Sequence, residues 1–381
     1  MNILIIDKNA IIPEYQKKWE LLSNYEKVNL TLLVPDRWKE NFSDIYFDKN
    51  KTKKLNIISG KVIFPGYENR GFYYTSLIRA VKKSKPDVIH LMEEPYSLFS
   101  LQTIIIKNLF APKAKVVFYT YDNISYNYIF PYRPSFLYEF IEKFTFKNSD
   151  YALCANKEAK EILLSKGFNR QIKILYPCFD FSFFKRMESE KLKNELGLKG
   201  VVIGFLGRIT KGKGLDTLLN ACGELQEEFT LIIAGKGDYK LELIKLAKEL
   251  RIIQKIRFVD VIKYEEVPKY LSLLDIFVLP SITTEKWKEQ FGRVIIEAMG
   301  CEVAVIGSNS GAIPEIIGNN GLIFRENDYF DLKNKILLLI KDKELRDKLK
   351  LLGKKYAENF SMDNFVNELY LVYNELDSFN S

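Results

Sequence analysis

Residues 276–299 read IFVLPSITTEKWKEQFGRVIIEAM. The apolar run 276–279 stops at Pro280, a polar loop follows, and past Gly292 the pattern becomes helical. A short, uninterrupted apolar run is the mark of a strand buried on both faces. Gly292 permits a tight turn into a helix that begins near Arg293. The first backbone amides of such a helix have no partner within it. Together with the helix dipole they form an anion site suited to a diphosphate. Glu289 stands just before this helix mouth, and Glu297 stands about one turn inside. A carboxylate at Glu297 can take two hydrogen bonds from a ribose diol. Glu289 can do the same for a sugar hydroxyl, or stabilise positive charge developing at an anomeric carbon. The bland alternative is an amphipathic helix carrying two surface glutamates.

The same alternation runs outward in both directions. Apolar runs at 2–6, 29–34, 88–92, 116–119 and 151–155 read as strands, with helical segments at 71–84, 98–109 and 135–147 between them. After Tyr176 the series restarts, with strands at 201–206, 229–234, 255–259, 276–279 and 303–307. Strands alternating with helices imply parallel sheets covered on both faces. The expected fold is α/β, with two Rossmann-like doubly wound domains, 1–176 and 177–360, facing across a cleft. Ligands of such sheets bind beyond the carboxyl ends of the strands. The boundary falls in 176–200, where Pro177, a phenylalanine cluster and a charged stretch interrupt the pattern. The tail 361–381 reads as a helix that Ser361 can cap, with Phe365, Leu369 and Val372 on one face.

Composition supports folded cores, since 47% of the 381 residues are hydrophobic and 28% charged. The net charge of +8 is confined to one half: residues 1–176 hold 27 Lys and Arg against 18 Asp and Glu. A basic half suits an anionic membrane surface, a phosphate-bearing acceptor or nucleic acid, and is equally compatible with a solvated lysine-rich face. The four cysteines, Cys154, Cys178, Cys222 and Cys301, form no C-x-x-C spacing, and His90 is the single histidine. So few ligands argue against a zinc site, and unpaired cysteines fit a reducing cytosol. The opening MNILIIDKNA reads as a first strand rather than a signal peptide. No run approaches the roughly 18 apolar residues of a spanning helix. The expectation is a cytoplasmic chain, at most peripheral on the inner face of the membrane.

A second motif spans 204–214, GFLGRITKGKG. Its glycines let the backbone approach a ligand, while Arg208 and Lys213 add positive charge able to neutralise a diphosphate leaving group. A plain basic turn is the alternative. Gly235, in the turn after 229–234, reads either as a donor loop or as a tight turn, and Val261 reads as flanking a base. In the first half, the strand ends carrying His90 and Glu93, and Tyr121 and Asp122, face the acceptor side. A lone strand histidine is also commonly buried, and Asp and Asn also simply favour turns.

Taken together, these motifs resemble the B-type glycosyltransferases of family four, the retaining group-one enzymes. Glu289 through Glu297 is similar to that family's E-x(7)-E element, and Gly207 through Gly214 to its G-R-x(4)-K-G element. Pro280–Ser281, Ser310–Glu315 and Gly321–Phe324 also look familial. The resemblance implies that Glu297 holds the donor ribose and Glu289 contacts the transferred sugar. It implies that Arg208 and Lys213 bind the diphosphate, helped by amides near Gly292. Gly207, Gly235, Phe291, Arg293 and Val294 complete the donor side, and Asp122 joins Glu289, Arg208 and Lys213 as catalytic. The implied reaction is hexosyl transfer with retention, without a metal or resident cofactor, from a UDP- or GDP-sugar to a glycan or lipid-linked acceptor in surface-polysaccharide synthesis. The absence of any Asp-x-Asp agrees with a metal-free site. No nucleic-acid partner is expected, and the final helix would cross back to the first domain.

Departures from the family pattern are specific. The turn after the first strand is Asp7-Lys8-Asn9-Ala10 rather than glycine-rich, Tyr121-Asp122 stands where many members carry a histidine, and Glu302 replaces a glycine. The altered first turn favours a catalytically inactive sugar-nucleotide-binding subunit as the alternative. A dinucleotide-dependent oxidoreductase is weaker still, because no G-x-G-x-x-G follows 2–6.

Overall fold

The computed structural model describes residues 1–39, 44–48, 54–124 and 135–378. The chain divides into two compact units, Met1–Cys178 with Met362–Ser381, and Phe179–Ser361.

The first unit is built on seven parallel strands: β1 (Asn2–Ile6), β2 (Asn29–Pro35), β3 (Asn56–Gly60), β4 (Val88–Leu91), β5 (Lys115–Thr120), β6 (Tyr151–Cys154) and β7 (Gln171–Ile174). Their order is β7-β6-β5-β4-β1-β2-β3. The order runs outward from β1 both ways, so the β1/β4 boundary is a topological switch point. The inner strands are apolar throughout because helices cover both faces. On one face Leu77, Val81, Phe99, Ile104 and Leu163 share a core with Leu4, Ile6, Ile89 and Phe118. On the other, Trp19 and Leu22 of the helix Pro13–Ser23 join Phe365, Leu369, Val372 and Tyr373 of the helix Met362–Ser378 against Ile3, Ile5 and Val117.

Both edge strands, β3 and β7, escape a search for apolar runs. Their sequences, NIISG and QIKI, are interrupted by polar residues and only partly buried, because an edge strand has one neighbour and a solvated flank. The helix expected from residue 71 begins at Ser76 instead, because Phe72–Tyr73 is taken up in antiparallel pairing with Val62–Ile63.

The second unit carries β8 (Val201–Leu206), β9 (Phe229–Ala234), β10 (Ile256–Val259), β11 (Ile276–Leu279), β12 (Ala304–Ser308) and β13 (Leu322–Phe324). The sheet is parallel in the order β10-β9-β8-β11-β12-β13. Its switch point lies between β8 and β11, which run side by side with Ile203 opposite Ile276. Glu302 itself enters the left-handed region, φ 59, so a turn that favours glycine forms without one, and Lys354 pairs with the Glu302 carboxylate at 2.7 Å. All four cysteines are free. No helix among the described residues is long and apolar enough to cross a membrane.

Candidate active site

Adjacent strands that end together deliver their following loops to one place, and β8 and β11 do so at the switch point of the second unit. The loop after β11 carries Glu289, which is 8% exposed. Its Oε2 accepts from Lys213 Nζ, on the loop after β8, at 2.6 Å and from Ser281 Oγ at 2.8 Å. The two loops are also joined through the backbone, where the Ile282 amide donates to the Gly212 carbonyl at 2.9 Å. A third loop closes on the glutamate from behind, the Ala312 amide donating to the Glu289 carbonyl at 3.0 Å.

Gly292 adopts φ 76 and serves as the N-cap of the helix Arg293–Gly300, whose mouth no side chain caps. Glu297 lies one turn in, its side chain 13% exposed. Burial raises its pKa, and Arg293, 3.7 Å away, opposes the rise. Arg293 also lies over the Phe179 ring at 5.0 Å, and the buried Phe291 stacks on the same ring at 6.0 Å. Val294 is half-buried beside it. Gly207 and Gly235 meet backbone to backbone: a Cβ on Gly235 would fall 1.9 Å from the Gly207 carbonyl oxygen, so only glycine fits there. Arg208 is exposed and has no ion-pair partner among the described residues. Val261 stands 62% exposed on the loop after β10. The structure thus brings Lys213, Glu289, Gly292 and the Arg293–Glu297 turn together, while Arg208 and Val261 remain on solvent-facing loops.

In the first unit, two of the expected acceptor residues prove to be internal. His90 has no exposed surface. Its Nδ1 shares a hydrogen bond with the Tyr373 hydroxyl at 2.5 Å, and Trp19 meets it edge-on at 5.9 Å. Burial, with a smaller contribution from Lys18, pulls its pKa down to about 3. The expectation of acceptor contact is therefore corrected, because the ring faces the helix Met362–Ser378 inside the core. Glu93 is likewise buried, paired with Lys8 Nζ at 2.7 Å. Burial lifts its pKa to about 7 against the pull of Lys8. Burial would lower Lys8, but Glu93 and Glu68 outweigh it and leave that pKa raised.

Tyr121 and Asp122 are half-buried at the end of β5. Two residues outside the expected set hold them there. Glu94 accepts from the Tyr121 amide at 2.8 Å and from Thr120 Oγ1 at 2.5 Å, and the Tyr96 hydroxyl donates to Asp122. Burial first, then the Asp122 charge, raise the Glu94 pKa well above the usual carboxylate range. The signal for Glu94 was the doubled acid after β4. Both glutamates lie just past the end of β4, Glu93 paired with Lys8 and Glu94 with the neighbouring strand end at Thr120 and Tyr121.

Residues 187–356 match the family described as glycosyl transferases group 1. An uncharacterized glycosyltransferase of Methanocaldococcus jannaschii is 32% identical over 240 residues, 61% of this chain and 62% of the relative. The capsular polysaccharide biosynthesis glycosyltransferase CapM of Staphylococcus aureus is 31% identical over 231 residues, 57% of this chain and 56% of the relative. The chain thus spans less than two thirds of the length of either relative. Among solved structures, HepE of Anabaena in complex with UDP is similar over 98% of this chain and 100% of its own, with a TM-score of 0.74 at 18% identity. That likeness shows the fold, the two Rossmann-like domains of B-type glycosyltransferases.

Proposed function

We propose, from the premise that the second unit of this chain belongs to the glycosyl transferases group 1 family, that the protein moves a hexosyl group from a UDP- or GDP-sugar to a glycan or lipid-linked acceptor, with retention and without a metal. The observation that carries this reading is the Lys213–Glu289 pair set at the uncapped mouth of the helix Arg293–Gly300. When the bond between the anomeric carbon and the diphosphate breaks, negative charge grows on the diphosphate. Lys213, Arg208 and the amides at the helix mouth supply fixed positive charge where it grows. Glu289, buried and already hydrogen-bonded, fits a role beside the sugar, where it orients a hydroxyl and opposes positive charge at the anomeric carbon. Glu297 suits the ribose diol. On the acceptor side Asp122, positioned through Tyr96 and Glu94, is the carboxylate best placed to meet an acceptor hydroxyl. The relative CapM is named for capsular polysaccharide synthesis, and an acceptor of that class is proposed here.

A peripheral contact with anionic membrane belongs to the same reading. Ile105, Leu109 and Phe110 of the helix Leu98–Phe110 and Phe140 of the helix Ser135–Lys147 are exposed, and Lys82 lies over the Phe110 ring at 4.4 Å. Lysines beside exposed apolar residues suit the boundary between headgroup and acyl chain.

The direct test is a thermal shift with UDP, GDP and ADP. A ligand of the folded state at about 100 times its Kd adds roughly 2.7 kcal/mol, or about 5–10 °C for a unit of this size. UDP or GDP should produce such a shift, and Lys213→Met should weaken binding roughly 10- to 100-fold, the range of a hydrogen bond between charged groups. No shift with any of the three nucleotides sinks the reading. Binding without transfer from any UDP- or GDP-sugar would favour the inactive-subunit alternative.

A further inference from the structure

We infer that Trp287 is a positioning residue for Lys213, a role that rests on Lys213 binding the donor diphosphate. Lys213 Nζ lies 4.9 Å from the centroid of the Trp287 ring while it pairs with Glu289 at 2.6 Å. A lysine is a point charge on a flexible stem. To serve a diphosphate, this ammonium has to divide its hydrogen bonds between that ligand and Glu289. The indole face attracts the cation whichever oxygen it faces, so it holds the ammonium over the loop mouth during the exchange.

The backbone that carries the indole is tied to the same loop. The Thr284 amide donates to the Trp287 carbonyl at 2.8 Å, and the Trp287 amide donates to Thr284 Oγ1 at 3.0 Å. Its ring packs close against Gly212, where a Cβ would stand 3.0 Å from Cε3 and 3.2 Å from Cζ3. The bare Gly212 therefore supplies a floor for the ring, and the ring supplies a wall for the next residue along. Two loops from neighbouring strands fix one cation between them. Trp287 makes no hydrogen bond with Lys213 or Glu289, so its contribution passes through the placement of the ammonium.

The experiment is calorimetric titration of the full chain with UDP and with GDP, for wild type, Trp287→Ala, Trp287→Phe, Lys213→Met and the double variant K213M/W287A. Losing the indole face should weaken nucleotide binding about five- to thirty-fold. Trp287→Phe, which keeps a π face, should recover most of that loss. In the Lys213→Met background Trp287→Ala should add nothing, because the cation it positions is gone. An equal loss in both backgrounds would mean that the indole touches the nucleotide directly and would overturn the proposal, as would an unchanged affinity in Trp287→Ala. If the alanine variant does not fold, Trp287→Leu makes the same comparison with apolar bulk and no π face. Failure of wild type to bind either nucleotide removes the donor reading itself, and shows before any variant is compared.

Discussion

At His90 the imidazole is packed between Trp19 and Tyr373 with its pKa drawn down to about 3. An unfolded histidine titrates near 6.5, so between these values the unfolded chain binds a proton that the folded chain refuses. The stability that comes from burying a neutral ring is complete above about pH 6.5 and falls as pH drops toward 3. Replacement by phenylalanine removes this dependence. His90→Phe should be destabilising at pH 7, through the lost Tyr373 hydrogen bond, and its penalty should shrink by about 2 kcal/mol on going to pH 5. Urea unfolding of both proteins at the two pH values measures this, and a penalty independent of pH would contradict it. Glu93, raised to about 7, has the opposite slope, stabilising less as pH rises from about 4.5 to 7. It is present in both proteins and cancels in the comparison. His90 and Glu93 are visible in the sequence as candidates at a strand end, but their turning inward is not. That depends on Tyr373, 283 residues away, and on Lys8 across the switch point.

Among the elements, the helix Arg293–Gly300 holds Glu297 and an uncapped mouth, and its start depends on Gly292 at φ 76. A Cβ there would stand 2.9 Å from Ile295 Cδ1 and 3.0 Å from Leu279 Cδ2. Left-handed backbone costs a residue with a Cβ about 1–2 kcal/mol, and a unit of this size loses about 2–4 °C per kcal/mol. Gly292→Ala should therefore lower the melting temperature by roughly 2–8 °C. It should also weaken nucleotide binding, because the helix mouth and Glu289 shift together. Melting curves and UDP titration of the purified variant check both, and an unchanged affinity would detach the helix mouth from the nucleotide. This element was legible in advance because its signals are local: an apolar run, a glycine, and two glutamates at helical spacing. The edge strands β3 and β7 were not, since their partial burial leaves no apolar run to read.

At the scale of the whole chain, the lysine- and arginine-rich residues 1–176 also expose Ile105, Leu109, Phe110 and Phe140. The chain should bind vesicles containing phosphatidylglycerol, more weakly as salt rises, since each basic residue near the surface contributes about 1 kcal/mol that is screened within a Debye length. Leu109→Ser with Phe140→Ser should reduce co-sedimentation several-fold, while equal binding to neutral vesicles would count against an electrostatic contact. The fold class, the two strand–helix series and the strand–loop–helix motifs around Lys213, Glu289 and Glu297 followed from the sequence alone, because periodicity, turn residues and helix ends act over a few neighbouring positions. Tertiary structure decided the pairings: Lys213 with Glu289, Lys8 with Glu93, His90 with Tyr373, and the helix Met362–Ser378 against the face of Trp19. A side chain's partner and burial are set by which elements pack together, and contacts between residues 76, 85 or 283 positions apart leave no mark on the local pattern.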